Sequence, residues 1–189
     1  LKGFLSHSDH ILAYLAQGLG RGELALGPLL DLERQGKLTR SGRGALADRL
    51  GHAGQTAAAA LLLEKLLQEL PGDLEAALDV VAAHAKRGDA ERSRAALRSA
   101  DAAAREWSGW RRYGAVRLGR ACLDAKLHEE AAAYYEEAIQ IRLRSTPTRP
   151  EGQEPRANLY AYLARARAAH GRTKEAVEAV LAAVASCGR

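Results

Sequence analysis

A phrase of two alanine-rich apolar runs joined by a short glycine turn occurs repeatedly along this chain. Gly54 lies between LADRLGHA and TAAAALLLEKLLQEL, and Gly88, 34 residues later, lies between LEAALDVVAAHAK and AERSRAALRSA. Pro71 closes the first phrase, because proline cannot continue a helix and Pro-Gly-Asp supplies both a stop and a cap for the next one. A period of this length predicts a stack of helical hairpins.

Two further hairpins are predicted downstream. One begins at YGAVRLGRACLDA and continues through HEEAAAYYEEAIQIRLR; the other is NLYAYLARARAAHGRTKEAVEAVLAAVAS, with Gly171 at its turn. Their second helices carry apolar residues at a four-then-three spacing, which places them on one helical face. These residues are Ala131, Tyr135 and Ala138 in the third hairpin and Ala176, Val180 and Ala183 in the fourth.

The pattern resembles the tetratricopeptide repeat (TPR) family. The resemblance implies an all-α fold, a right-handed superhelical array of antiparallel helix pairs whose first helices line a concave face. The residues that carry it are Leu118, Gly119, Ala131, Tyr135 and Ala138, then Tyr160, Leu163, Gly171, Ala176 and Ala183, and upstream Gly54, Ala59, Leu63, Leu66, Pro71, Gly88 and Leu97.

The chain departs from the family pattern at three places. Lys126 stands at the turn where the other hairpins have glycine, and Ser93 replaces an expected alanine. The third and fourth units are 45 residues apart, from Ala131 to Ala176, because a loop with three prolines at 145–155 lies between them. We therefore predict repeats at about 40–73, 74–108, 109–147 and 156–188.

Residues 1–39 are less regular and are expected to form a helical hairpin or a degenerate repeat. Its first helix would be HILAYLAQG, capped by Ser8 or Asp9. Its second would be ELALGPLLDLERQGKL, broken or kinked near Gly27-Pro28 and ending at Gly36.

Composition agrees with a packed helical protein. Hydrophobic residues make up 47% and aromatic residues only 5%, so alanine, leucine and valine must supply the core. The sequence has no methionine, which suggests an excised domain or a processed product. It has neither the order of a signal peptide nor an uncharged apolar stretch of membrane length, and we expect a cytoplasmic location and no membrane contact. Two cysteines distant in sequence do not suggest a disulfide framework.

The positive charge is concentrated in the C-terminal part. Residues 1–108 contain 14 Lys/Arg and 14 Asp/Glu, whereas residues 109–189 contain 14 and 9, so the whole net charge of +5 lies there. An acidic segment of a protein or peptide partner is therefore expected near these repeats.

The candidate partner-binding residues lie on the first helices of the third and fourth hairpins, which the TPR resemblance places on the concave face. Arginine forks can hold a carboxylate by two hydrogen bonds, and asparagine can contact a peptide backbone. The alternative is that these are ordinary solvated charges paired with nearby acids. The residues are Tyr113, Arg117, Arg120, Asp124, Asn158, Tyr162 and Arg165.

Motifs for other chemistry are weak. His7, Asp9 and His10 are better explained by a capped helix start than by a metal site, and Gly18–Gly22 lacks the strand and the Gly-Lys-Ser/Thr ending of phosphate loops. Cys122 is predicted to be a small buried hydrophobe, not a nucleophile. Trp107 and Trp110 are expected to pack between the second and third units, with a ligand contact as the alternative. We expect no cofactor, no metal and no enzymatic activity in this chain.

The expected function is a protein–protein interaction scaffold or adaptor that binds a peptide or partner domain and forms part of a larger protein. One alternative is a basic helical solenoid that binds nucleic acid, which the pI of about 9.4 favours and the mixture of acids with bases disfavours. Another is a regulatory or oligomerising arm of an enzyme whose catalytic domain lies elsewhere.

Overall fold

Turns with a left-handed residue follow five of the helices in the described part of this chain. The structure, a computed structural model, describes residues 23–106, 113–144 and 155–187. No strand occurs within these ranges, which confirms the predicted all-α class. The helices they contain are α1 Glu23–Arg34, α2 Arg40–His52, α3 Thr56–Glu69, α4 Leu74–Lys86, α5 Ala90–Glu106, α6 Ala115–Asp124, α7 His128–Arg144, α8 Arg156–Ala169 and α9 Thr173–Cys187.

Five of the helix ends share a left-handed residue with the hydrogen bonds of a Schellman turn. In each, the amide that follows the left-handed residue donates to a carbonyl five residues back, as Gln55 does to Leu50 at 2.8 Å and Leu127 does to Cys122 at 2.8 Å. Only glycine adopts positive φ without a steric cost, so four of the five positions are glycine. The five are Gly36, Gly54, Gly88, Lys126 and Gly171, and Lys126 has a φ of 59°.

Polar side chains cap the starts of the next helices. Thr39 accepts a hydrogen bond from the Gly42 amide at 3.1 Å, and Asp73 accepts one from the Ala76 amide at 3.0 Å. Asp73 also receives two bonds from Arg40, one of them from Nη2 to Oδ1 at 2.6 Å. The Pro-Gly-Asp segment thus ends α3 and caps α4, as its sequence predicts.

The chain divides into two compact units, residues 1–96 and 97–189, so that α5 contributes its beginning to the first and its end to the second. In the first unit, α2, α3 and α4 pack around small and branched apolar residues, among them Leu46, Leu63 and Val81. His84 is also buried, and its Nε2 lies 2.8 Å from Oε1 of Glu64, which joins α4 to α3.

In the second unit, α7 packs between α6 and α8, and α8 packs on α9. Leu118 and Tyr135 are both fully buried there. A β-carbon added at Gly119 would lie 3.0 Å from Cζ of Tyr135, so only glycine lets α6 come this close to the ring. A small residue on one helix is thus paired with a large one on the next at this crossing.

The structure explains two of the departures from the repeat pattern. Lys126 takes the left-handed conformation that glycine takes elsewhere, so the turn is kept despite the side chain. Ser93 is fully buried, and its Oγ donates to the Val81 carbonyl at 3.4 Å, which gives its hydroxyl a partner in an apolar setting. The limits proposed above for the individual repeats stay predictions.

Of the two outcomes predicted for the second N-terminal helix, a break at Gly27-Pro28 is wrong. The helix predicted to break or kink near Gly27-Pro28 runs through Pro28 unbroken from Glu23 to Arg34, and the turn that follows contains Gly36. Other predictions fall outside the described residues: those at His7–His10, at Gly18–Gly22, at Trp107 and Trp110, and on the proline-rich loop up to residue 154.

The described part of the chain contains neither a membrane-length helix nor a cluster of metal ligands. None of its helices is long and apolar enough to cross a membrane. Within the same ranges, no group of three or more histidine, cysteine or acidic side chains is arranged to hold a metal ion.

Candidate interaction surfaces

The predicted partner-binding residues occupy one face of α6 and one face of α8. Arg117, Arg120 and Asp124 follow each other at spacings of three and four on α6, with Tyr113 in a wider turn just before the helix. On α8, three more of the predicted residues follow each other at spacings of four and three, so they again share a face. These are Asn158, Tyr162 and Arg165, and we call all seven residues the arginine–tyrosine surface.

Arg120 and Tyr162 connect the two helix faces. The guanidinium carbon of Arg120 lies 5.4 Å from the centre of the Tyr162 ring, within the range of a cation–π interaction. Nη2 of Arg120 donates to the Tyr162 hydroxyl at 3.4 Å. Arg120 itself is exposed, so a positive group is held in a defined place at the surface.

Tyr135 of α7 supports this pair from below. Its ring stacks on Tyr162 with centroids 5.3 Å apart and an interplanar angle of 22°. Burial raises the pKa of the Tyr135 hydroxyl well above its ordinary value, so the hydroxyl stays neutral beneath the cation. A column of guanidinium, half-buried ring and buried ring therefore links the surface to the core.

The remaining members of the surface differ in exposure. Asp124, Asn158 and Arg165 are exposed, whereas Tyr113 and Arg117 are half-buried. The structure thus brings Arg120 into contact with Tyr162 and leaves Asp124 and Arg165 accessible on the same two helices.

Cys122 does not contribute a reactive group. Its side chain is fully buried on the inner side of α6. Burial, with a smaller contribution from the charge of Glu130, raises the pKa of the thiol to about 12. A thiol with this pKa is protonated at neutral pH and is a poor nucleophile, so Cys122 is the buried hydrophobe that its sequence context predicts.

A second surface feature lies in the first unit, where α2 and α4 border an open groove of about 100 Å³. We call it the Gly44 groove. Its walls are small residues, and its floor comes from the start and middle of α3. It is lined by Gly44, Ala47, Asp48, Gly51, Thr56, Ala59, Leu63, Asp79, Ala82, Ala83 and Lys86.

Two carboxylates face the Gly44 groove. Oδ2 of Asp79 lies 4.0 Å from where a β-carbon on Gly44 would be, so the carboxylate of α4 reaches across to α2. Desolvation at the groove, reinforced by the negative charges of Glu75, Asp73 and Asp48, raises the pKa of Asp79 against the opposing effect of Arg40. Asp79 keeps an exposed side toward solvent.

The surface proposed from sequence includes neither Tyr135, which supports Tyr162, nor the Gly44 groove. Tyr135 has a repeat-position signal, but the stacking partner on α8 lies 27 residues away and is not visible in a linear pattern. For the groove, Gly44 and Asp48 share a helix face with spacing four, which is the only local signal.

Comparison with solved structures identifies the fold as a TPR-type helical-repeat solenoid. A putative kinesin light chain with TPR-like repeats from Podosopora anserina is similar at 22% identity and TM-score 0.70, over 95% of this chain and 93% of that one. BtubC from P. vanneervenii has 20% identity and TM-score 0.70, over 99% and 81%. MamA from Desulfovibrio magneticus RS-1 has 16% identity and TM-score 0.63, over 98% and 97%.

No protein-family model matches this sequence, and no curated protein sequence matches it. The likeness therefore concerns the fold, and it confirms the resemblance that the repeat positions indicate.

Proposed function

We propose that this chain is a non-catalytic protein-interaction scaffold or adaptor that holds a protein or peptide on the arginine–tyrosine surface. The observation that carries the proposal is the column of Arg120, Tyr162 and Tyr135, which fixes an exposed cation on a rigid aromatic support. The TPR-type fold supports it, because helical-repeat solenoids offer extended surfaces for binding.

An acidic segment is the partner chemistry that this surface favours. Arginine presents planar donors that match a carboxylate, and a guanidinium already held over a ring loses less conformational entropy on binding. Arg117 and Arg165 add positive charge on the same two helices, and the net charge of +5 lies in this part of the sequence. Asn158 and Tyr113 would contact the backbone or the rim of the bound segment.

The test is capture of partners from a lysate of the source organism by the wild-type chain and by two triple variants. The first variant changes Arg117, Arg120 and Arg165 to Glu. The second, a matched control, changes the exposed Arg34, Arg92 and Arg98 to Glu and alters the net charge equally. Circular dichroism must first show that all three proteins are equally helical.

We expect the same protein to be retained by the wild type and the control and lost by the first variant, as mass spectrometry would report. Retention by all three would rule out this surface while leaving a scaffold role intact. If nucleic acid alone is retained and nuclease treatment abolishes capture, the chain is instead a nucleic-acid-binding solenoid.

A further inference from the structure

We propose that the Gly44 groove is a second binding site, which takes a lysine or arginine side chain from an extended segment of a partner protein. The inference rests on the scaffold role proposed above but not on the arginine–tyrosine surface, which lies in the other unit. Its chemistry is opposite in sign, because the groove is bordered by carboxylates.

The shape of the groove suits the stem of a long basic side chain. Gly44 and Gly51 on α2 face Ala82 and Ala83 on α4, so almost no side-chain atoms fill the space between the two helices. The floor is largely apolar and includes Ala59 and Leu63, both of which are buried. Lysine and arginine bury an apolar stem while their charged head reaches a polar rim, and a volume of about 100 Å³ accommodates such a stem.

The charge of the groove is offset only in part, because Arg40, which opposes the raised pKa of Asp79, is bonded to Asp73. Across the described residues, Asp79 makes no hydrogen bond or ion pair, whereas neighbouring acids are paired: Asp73 with Arg40, and Glu33 and Glu69 with Arg43. Asp48 is paired only through His52, at 3.4 Å, and only when that ring is protonated. A partly desolvated carboxylate beside like charges is stabilised when a cation arrives.

Lys86, the cation that lines the groove, does not satisfy Asp79. It follows Asp79 by seven residues on α4, which is about 10 Å along a helix. The groove is therefore lined by two carboxylates, those of Asp48 and Asp79, and by the ammonium group of Lys86. An extended segment with a basic residue near a neutral or acidic one would match both charges.

A protein side chain fits better than a metal ion. Within the described ranges no three potential metal ligands come together, and the lining beyond the two carboxylates is mainly glycine and alanine. Those small apolar walls would contact methylene groups.

The experiment selects peptides from a phage-displayed random dodecapeptide library on the 189-residue chain. The enriched peptides are synthesised with a fluorophore, and their Kd is measured by fluorescence anisotropy. We expect peptides with lysine or arginine, each binding at least tenfold more weakly to Asp79→Asn and to Asp48→Asn. The control Glu91→Gln changes an exposed acid of α5 in the same unit and should leave Kd within twofold.

A second variant tests the space instead of the charge. Gly44→Leu fills the groove while keeping both carboxylates, and it should abolish binding of the same peptides if the stem enters there. Thermal unfolding must show that its α-helical fold persists; amide shifts of Gly51 and Ala83 in the wild type, followed by NMR during peptide titration, report occupancy without any substitution.

A selection that yields no basic peptide, an unchanged Kd of the basic peptides for Asp79→Asn, or no binding at 1 mM basic peptide would each overturn the inference. The arginine–tyrosine surface fails separately, because it depends on partners lost with Arg117, Arg120 and Arg165. If the basic peptides lose affinity for the variant of those three arginines and not for Asp79→Asn, the second site is removed and the proposed function stands.

Discussion

At the scale of single residues, a few positions are restricted by the side chains that pack against them. Gly119 is one, because the Tyr135 ring occupies the space that any β-carbon would enter. Tyr135 is another, because it fills the core and supports Tyr162 at the surface. Repeat-position reasoning identifies both residues from sequence, but the 3.0 Å approach that makes glycine necessary is a property of the packed helices.

Gly119→Ala should lower the free energy of unfolding by about 1–3 kcal/mol, since an added methyl group must displace the ring or separate α6 from α7. Urea denaturation followed by circular dichroism measures the change. Gly51→Ala is the control: nothing lies within 4 Å of its added β-carbon, and alanine in a helix should be neutral or stabilise by up to about 1 kcal/mol. Equal effects of the two would contradict the close packing.

Lys126→Gly should raise the free energy of unfolding by about 1 kcal/mol, because Lys126 has a positive φ that costs an L-residue this much. The reverse change, Gly171→Lys, should lower it by a similar amount at the equivalent turn. Thermal melts of both variants provide the comparison. A stabilising effect of Gly171→Lys would contradict the expected cost of a side chain at a residue with positive φ.

At the scale of whole helices, capping and coverage decide what each one contributes. Asp73 ends one hairpin and begins the next through its cap and its ion pair with Arg40. Local chemistry of this kind is readable from Pro-Gly-Asp. The extent to which neighbouring helices bury each helix cannot be read from the sequence in this way. α7 and α9 have the same repeat positions, yet Ile139 is 5% exposed and Val184, 45 residues later, is 67% exposed.

Asp73→Asn should cost about 0.5–1 kcal/mol at pH 7, since asparagine keeps the cap but loses the partly exposed ion pair. Desolvation raises the pKa of Asp73, but the bonds from Arg40 and the Ala76 amide outweigh it, and the net pKa lies below the ordinary value. The carboxylate thus stabilises the fold at neutral pH, and the contribution is lost as pH falls through the lowered pKa. Denaturation of both proteins between pH 7 and pH 2 should show that the difference between their free energies of unfolding disappears. A difference that stays constant would contradict a stabilising role of the Asp73 carboxylate.

Ile139→Ala should destabilise the protein by about 2–4 kcal/mol, because this side chain is only 5% exposed and a cavity would remain. Val184→Ala at the matching position of α9 should change stability by less than about 0.5 kcal/mol, because the side chain is already exposed. Urea denaturation measures the change in the free energy of unfolding for both variants. A large cost at Val184 would mean that this helix face is covered in solution.

At the scale of the whole molecule, charge is distributed unevenly between surfaces. The arginine–tyrosine surface lies in the C-terminal part that carries the excess of positive charge, and the Gly44 groove lies in the part with no net charge. Interactions between exposed charges are screened over about 10 Å at 0.1 M salt, so the charges of a surface act mainly on groups close to them.

A peptide of eight glutamates should bind the wild-type chain several-fold more weakly at 300 mM than at 50 mM NaCl, because salt screens the arginines. The variant with Arg117, Arg120 and Arg165 changed to Glu has its net charge lowered from +5 to −1 and should not bind measurably. The control with Arg34, Arg92 and Arg98 changed to Glu has the same net charge. Isothermal titration that finds equal loss in both variants would assign the effect to net charge and not to this surface.

The sequence by itself determined the all-α class, the helical hairpins and most of the turns of this protein. These features depend on local physics: glycine where φ is positive, proline and aspartate where a helix stops and starts, and apolar residues at helical spacing. Pro28 is an exception to these local rules, because α1 continues through it from Glu23 to Arg34.

Only the tertiary structure decided which side chains meet. The contact of Arg120 with Tyr162 joins residues 42 positions apart, and the approach of Asp79 to Gly44 joins residues on two different helices. Neither follows from spacing, because both depend on how closely and at what angle the helices cross. Helix formation is a property of neighbouring residues, whereas an interaction surface is a property of the packing between distant ones.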